Sequence, residues 1–351
     1  MGLKNIFPQE KIKTLHTLLD ESERIVITCH MRPDGDAIGS SLGLYHILRG
    51  LGKDATVIIP DRVPDSLCFL PGVNEIAVYT MHEDYCRRLL NEADLVLMCD
   101  FNTSTRQGNL GPLVEASPAR KVLIDHHRYP DADCTVEFSY PDMSSTCELV
   151  FRLIAALGLY SEMNLDAATC LLTGLLTDTQ NLSVNIKDPE TYDILIKLIE
   201  KGADKERIVY EALKSISYNA LRLNCYAVSE KLQIFAAHRC ALIALTKEDL
   251  DRFNYKKGDT EGLVNEPLRI RGIIYSVFLR EDSDCIKVSM RSRLGFPVGD
   301  ICRDVYDGGG HIMAAGAEFN GTMEECIERL KKAMPDYDRY LPRKLDKLEL
   351  K

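Results

Sequence analysis

The sequence contains no tryptophan, no C-x-x-C pair, no apolar run approaching eighteen residues and no excess of basic residues. Without tryptophan, and without patches that mix aromatic and basic side chains, it lacks the stacking platform of a single-stranded nucleic-acid module. Lys+Arg total 43 against 53 Asp+Glu, a net charge of −10, so long nucleic acid is not an expected partner, whereas a short anion in one local pocket is compatible. The twelve cysteines are scattered. Several lie in apolar runs such as "VLMCD" and "RCALIAL", where a reduced thiol acts as a small hydrophobe, so a reducing, cytoplasmic setting is expected. The start "MGLKNIFPQEKIKTLHTLL" has no continuous apolar segment and no Ser or Thr at position six. Neither a signal peptide, a membrane span nor a myristoyl anchor is expected from it.

What is present reads as globular: 45% hydrophobic residues and only 14 prolines in 351 positions, a length that suits two domains. "RIVITC" (24–29), "DATVIIP" (54–60), "DLVLMC" (94–99) and "KVLI" (121–124) are short runs rich in Val, Ile and Leu, which predict strands. "DAIGSSLGLYHILRGLG" and "HEDYCRRLLNEA" between them have helical spacing. The alternation predicts an α/β fold: an open, mostly parallel sheet covered by helices over residues 1–190, with ligands at the carboxyl ends of its strands. "SSTCELVFRLIAALG" and "NLDAATCLLTGLLTDT" continue it as helices. "DPETYDILIKLIEKG" and "DKERIVYEALKS" predict a helical connection, taken as 191–225. A smaller C-terminal α/β unit is expected over 226–340, with a hairpin in "LQIFAAHRCALIALT", two strands in "GIIYSVFLREDSDCIKVSMRS" and a closing helix "TMEECIERLKKAM". The tail "RKLDKLELK" reads as a solvated end, and there is no internal repeat.

Four segments set acids or histidines just beyond an apolar run: His30, Asp34 and Asp36 in "HMRPDGD"; Asp100; Asp125, His126 and His127 in "DHH"; and Asp178. In a parallel sheet the first three sets share one edge. Carboxylate and imidazole without a thiolate pair suit Mn²⁺ or a similar divalent ion, and Mg²⁺ less well. Each piece has a plainer reading. A lone Asp after a strand is usually a cap or turn former, and "RPDGD" alone could be a loop whose acids cap the next helix. Two adjacent imidazoles against a buried strand are costly to desolvate without partners, and the joint occurrence favours a site. Downstream, Arg291 and Arg293 alternate along an expected strand, which suits phosphate oxygens, although exposed arginine is also ordinary surface charge. In "DGGGH" three glycines in a row weaken any regular element and favour close backbone approach to something; the plainer reading is a hairpin or loop needing φ > 0.

"HMRPDGDAIGS", "DFNTSTRQG", "DHH" and "TDT" occur in the order of the four motifs of the DHH phosphoesterase superfamily, and "VSMRSR" followed by "GGGHIMAAGA" resembles the DHHA1 substrate-binding domain. The spacing is most similar to the bifunctional oligoribonuclease and pAp phosphatase branch. The resemblance implies two divalent ions, most often Mn²⁺, with Mg²⁺ or Co²⁺ as alternatives. It puts His30 and Asp34 on one ion, Asp36, His126 and Asp178 on the other, and Asp100 on both. His127 is implied near the substrate phosphate, with Asp125 orienting the histidine pair. Arg106, Arg291, Arg293, Gly309, Gly310 and His311 are the implied substrate contacts. The implied reaction is attack by a hydroxide shared between the ions on short RNA oligonucleotides, releasing 5′-mononucleotides, and on 3′-phosphoadenosine 5′-phosphate. Exopolyphosphatase or pyrophosphatase action and hydrolysis of linear dinucleotides are alternatives, as is a non-catalytic nucleotide-binding protein. A homodimer is the assembly that relatives often form. One departure is that many relatives continue the last motif as Asp-Thr-Gly and an aromatic, where this chain has Gln180 and Leu182.

Overall fold

The computed structural model describes residues 3–342, so the tail at 343–351 lies outside the described residues. The chain forms two compact units, the first ending at Ser215 and the second beginning at Ile216.

In the first unit α1 (Gln9–Glu21) leads into β1 (Arg24–Thr28), α2 (Gly35–Gly50), β2 (Asp54–Ile59), β3 (Ala77–Val78), α3 (Glu83–Glu92), β4 (Leu95–Cys99), α4 (Gly111–Ala116), β5 (Arg120–Asp125) and β6 (Val136–Ser139). Helices α5 (Thr146–Ala156), α6 (Leu165–Asp178), α7 (Glu190–Glu200) and α8 (Lys205–Val209) follow. All six strands pair in parallel, in the order β3-β2-β1-β4-β5-β6. Because strand side chains alternate, Ile25, Ile27, Leu95, Leu97, Cys99, Val122 and Ile124 enter one core with α2, α5 and α6. Val26, Val96, Met98 and Leu123 enter a second core with α3 and α4 on the opposite face. Burial on both faces is why these strands read as near-continuous apolar runs. The order reverses between β1 and β4, and the crevice at such a reversal is where open α/β sheets take ligands.

Residues 191–215, expected as a connection, pack inside the first unit: Ile194, Leu195 and Leu198 of α7 and Ile208 and Val209 of α8 join its main core. Their apolar faces have a core to cover, which a connecting helix would not.

The second unit contains α9 (Tyr218–Glu230), β7 (Leu232–Phe235), β8 (Cys240–Leu245), α10 (Lys247–Arg252), β9 (Tyr275–Glu281), β10 (Ile286–Ser292), α11 (Val298–Tyr306), β11 (Gly309–His311), β12 (Ala314–Phe319) and α12 (Met323–Tyr337). Its sheet runs β11-β12-β10-β9-β8-β7, with β8 and β9 parallel and the other pairs antiparallel. The expected hairpin and strand pair both form. Of the hairpin or loop expected for "DGGGH", the hairpin forms: the edge strand β11 pairs with β12 from Gly309↔Gly316 to His311↔Ala314, with Gly310 at φ 142. Among the described residues no helix is long and apolar enough to cross a membrane.

Candidate metal centre

The carboxyl ends of β1, β4 and β5 deliver the first three groups side by side. After β1 the chain passes His30 and turns into α2, whose N-cap is Asp34: its Oδ1 accepts the amides of Asp36 (3.0 Å) and Ala37 (3.1 Å). The plainer capping reading is therefore realised for Asp34, which nonetheless also faces His30 Nε2 at 3.8 Å. Asp36 lies in the first turn of α2, 1% exposed. Asp100 follows β4 with φ 64, a left-handed conformation that Asp tolerates better than most residues. Asp178 arrives from the other side, as the last residue of α6. It reaches Asp36 because α2 and α6 touch backbone to backbone. A Cβ on Gly39 would stand 2.5 Å from the Cys170 carbonyl oxygen, and one on Gly174 would stand 2.9 Å from the Asp36 Cα.

Three sets of ligand atoms converge to within 4.8 Å: His30, Asp34 and Asp100; Asp36, His126 and Asp178; and Asp100, His126 and His127. Asp100 belongs to the first and third sets and approaches the second at His126. Its Oδ2 is 3.4 Å from His30 Nε2, and its Oδ1 is 3.6 Å from His126 Nε2. His126 Nε2 also lies 3.9 Å from Asp36 and 3.5 Å from Asp178.

The residues fit divalent cations on three counts. Both imidazoles are tethered through Nδ1 to backbone carbonyls, His30 to Met31 (2.9 Å) and His126 to Met143 (3.3 Å). Nδ1 therefore carries a proton, and Nε2 is turned toward carboxylates, where it can hold a second proton or give its lone pair to a cation. His30 Nε2 and Asp178 Oδ2 are buried without a hydrogen-bond partner, which costs free energy unless something binds there. The acids also strain against one another. Burial, then Asp100, Asp178 and Asp34, push the Asp36 carboxyl well above the ordinary carboxylate range. Burial likewise lifts Asp178 to about 6, despite His126. Burial opposes charging His30, but the Asp100 and Asp34 carboxylates outweigh it and raise its pKa to about 10. The pocket demands positive charge.

His127 stands apart from the other two imidazoles. Its Nδ1–H donates to Asp125 Oδ1 at 2.7 Å, and its Nε2 accepts from Arg106 at 3.0 Å. Burial opposes its protonation and Asp125, then Asp100, favour it, giving a net upward shift. A guanidinium can only donate, however, so the ring is neutral while Arg106 rests on it. Arg106 is placed by its own backbone, whose carbonyl accepts the Met31 amide at 2.7 Å. The neighbouring Gln107 donates to Thr28 Oγ1 (2.9 Å) and the Cys29 carbonyl (3.2 Å).

In the second unit, Arg291 on β10 is half-buried and donates to the Met290 carbonyl, while Arg293 lies beyond the strand and donates to the Leu268 carbonyl. Gly309, Gly310 and His311 are exposed on β11. Gly310 has φ 142, and a Cβ there would stand 2.5 Å from the Ala314 carbonyl oxygen. The close approach that Gly310 permits is thus to β12, whereas a Cβ on Gly309 would meet nothing within 4 Å.

The departure after Asp178 has a backbone signature: Gln180, Asn181 and Leu182 have φ of 47, 54 and 65. Glycine would suit the first of these at no cost, whereas three L-residues in a left-handed turn cost roughly 1–2 kcal/mol each. Thr179 holds the turn, donating to Leu175 O (2.6 Å) and accepting Leu182 N (3.1 Å).

Thr146 and Met143 escaped the sequence reading. The pattern Ser145-x-x-Glu148 marks a helix start, and that start is what meets Asp36 and Asp100.

The DHH family, N-terminal domain, matches residues 24–175, and the DHHA1 domain matches 240–337. The bifunctional oligoribonuclease and PAP phosphatase NrnA of Thermus thermophilus is 32% identical over 327 residues, covering 93% of this chain and 94% of that protein. The cyclic-di-AMP phosphodiesterase GdpP of Bacillus subtilis is 26% identical over 92% of this chain but only 49% of its own length. A crystal structure of an exopolyphosphatase-related protein from Bacteroides fragilis superposes with a TM-score of 0.93 at 41% identity, covering 96% of this chain and 99% of that one.

Proposed function

The chain belongs to the DHH family, with a DHHA1 domain after its DHH domain, and from that premise we propose that it is a two-cation phosphohydrolase acting on very short oligoribonucleotides and on 3′-phosphoadenosine 5′-phosphate. The observation that carries the reading is Asp100, whose two oxygens face two different ligand sets. His30, Asp34 and one oxygen of Asp100 would hold the first cation; Asp36, His126, Asp178 and the other oxygen would hold the second. Mn²⁺ is the ion that mixed carboxylate and imidazole donors suit best, with Mg²⁺ and Co²⁺ behind it. Bound together, two such cations supply a water acidic enough to lose its proton near neutral pH and positive charge for the oxygens of an in-line displacement.

The remaining roles belong to side chains. Asp125 holds the His127 Nδ1 proton and so fixes the ring with Nε2 outward. Arg106, resting on that Nε2, is the donor placed to turn onto a phosphate oxygen, which frees His127 to meet the substrate. In the DHHA1 domain, Arg291, Arg293, Gly309, Gly310 and His311 are the substrate contacts of this reading, with the guanidiniums matched to phosphate oxygens. The net charge of −10 supports a short substrate over a long polyanion.

The Thermus thermophilus relative supports the oligoribonucleotide and pAp reading, and the similarity to GdpP, a cyclic-di-AMP phosphodiesterase, supports cleavage of dinucleotide phosphodiesters as a second one, with pApA as its linear probe. A side-by-side assay with Mn²⁺ of pApA, pAp, polyphosphate and pyrophosphate decides between them. Turnover of pApA and pAp is expected, and Asp100→Ala should lower it at least 1,000-fold, since it removes a donor from both ion sites at once. Preference for polyphosphate or pyrophosphate over both nucleotides would overturn the substrate assignment, and an Asp100→Ala enzyme near wild-type rate would overturn the site.

A further inference from the structure

Residues 143–148, Met-Ser-Ser-Thr-Cys-Glu, touch three of the six candidate ligands without being ligands themselves. The Met143 carbonyl takes His126 Nδ1 at 3.3 Å. The amides of Thr146 and Cys147 donate to the two oxygens of Asp36 at 2.6 and 2.8 Å, and the Thr146 hydroxyl donates to Asp100 Oδ1 at 2.9 Å. We infer that Thr146 is a positioning residue for the second cation. Its hydroxyl, beside the two helix-start amides, fixes Asp100 and Asp36 so that the half-site of Asp36, His126 and Asp178 is formed in advance. This rests on the two-cation reading above.

The hydroxyl is not needed by its helix. The N-cap of α5 is Ser145, whose side chain already accepts the Glu148 amide at 3.0 Å; one capping oxygen at that position does the usual work. What does need a donor is Asp100. Only if its side-chain torsion is held can Oδ2 face His30 while Oδ1 faces His126, and a donor on Oδ1 selects that orientation. The turn that carries Thr146 is itself held by buried bonds. Glu148 Oε2 accepts from the Ser144 amide (3.2 Å), the Ser144 hydroxyl (2.6 Å) and the Thr191 hydroxyl (3.0 Å), and Glu148 Oε1 accepts from Arg152 Nε (2.9 Å). Arg152, 3% exposed, continues to Glu190 at 2.7 Å. A satisfied buried network of this kind rigidifies the segment it holds. Because Thr146 meets Asp100 on the His126 side and its amide meets Asp36, its loss falls mainly on the second half-site and less on the set of His30 and Asp34.

The test is calorimetric titration of Mn²⁺ into the metal-free full-length protein, with Mn²⁺ electron paramagnetic resonance on the same samples, for wild type, Thr146→Val and Thr146→Ser. Wild type and Thr146→Ser should take up two ions and give the signal of a spin-coupled pair. Thr146→Val keeps both amides and the side-chain shape. It should bind its first ion as wild type does and its second 10–100-fold more weakly, with an isolated Mn²⁺ signal at one equivalent per chain. Thr146→Ala is read in the same way if the valine form does not fold. Two tightly bound, coupled ions in the valine or alanine form would overturn the inference, as would equal weakening of both sites. If wild type binds fewer than two ions, the two-cation reading fails and takes this inference with it. If wild type binds two and the variants are indifferent, this inference fails alone.

Discussion

Asp34 caps a helix and faces a candidate cation with the same carboxylate, and the two duties can be separated. Serine caps as well as aspartate but carries no charge, and alanine does neither. In urea unfolding of the metal-free protein, Asp34→Ser should therefore exceed Asp34→Ala in stability by about 1 kcal/mol, while both lose hydrolysis. Equal stability of the two would mean that the cap is idle. This is why "RPDGD" read alone left a capping loop and a metal site open: the cap is realised, and Asp100, His126 and Asp178 add the donors that favour a metal site beside it. Thr146 was harder to read, since a threonine at a helix start is common and its value here comes from an Asp just beyond a strand, 46 positions earlier in the chain.

Among elements, the pairing of α2 with α6 does most to assemble the centre, and it depends on absent side chains. Gly39 faces backbone, since its Cβ would meet the Cys170 oxygen at 2.5 Å and the Gly174 nitrogen at 3.0 Å. A methyl there forces the helices apart, and overpacking of this kind costs about 1–3 kcal/mol. Gly43 would meet only the end of the Leu171 side chain, and Gly50 nothing within 4 Å. Urea unfolding should rank Gly39→Ala well below Gly43→Ala, with Gly50→Ala at or above wild type because alanine is the better helix former. A Gly39→Ala protein as stable as wild type would refute the close contact. The main strands were legible because burial on both faces writes them as apolar runs. β3, β6, β11 and β12 were not: the first three have two, four and three residues, too few for a period to show, and β12, "AAGAEF", has small residues where an apolar run would stand.

Across the whole molecule, the α/β class and the parallel sheet followed from the alternation of strand and helix patterns. The inclusion of residues 191–215 in the first unit did not, because an amphipathic helix that packs on its own domain and one that bridges two domains have the same period. The strand order matters most for function. With β1 beside β4 and β5 next, three separate stretches of sequence end in one crevice, and α6 closes it with Asp178. Without a cation that crevice gathers mutually repelling acids, so it is a weak place in an otherwise buried scaffold; bound cations would crosslink β1, β4, β5 and α6. Saturating Mn²⁺, at about 100 times its dissociation constant, should add about 2.7 kcal/mol per ion to the first unit. Hydrogen exchange localises the effect: amides of residues 28–36, 99–107, 125–127, 143–147 and 176–182 should slow on adding Mn²⁺, those of β3 and α3 less. Uniform slowing across the first unit, or none in these five stretches, would mean that the ions do not bind where the strand ends converge.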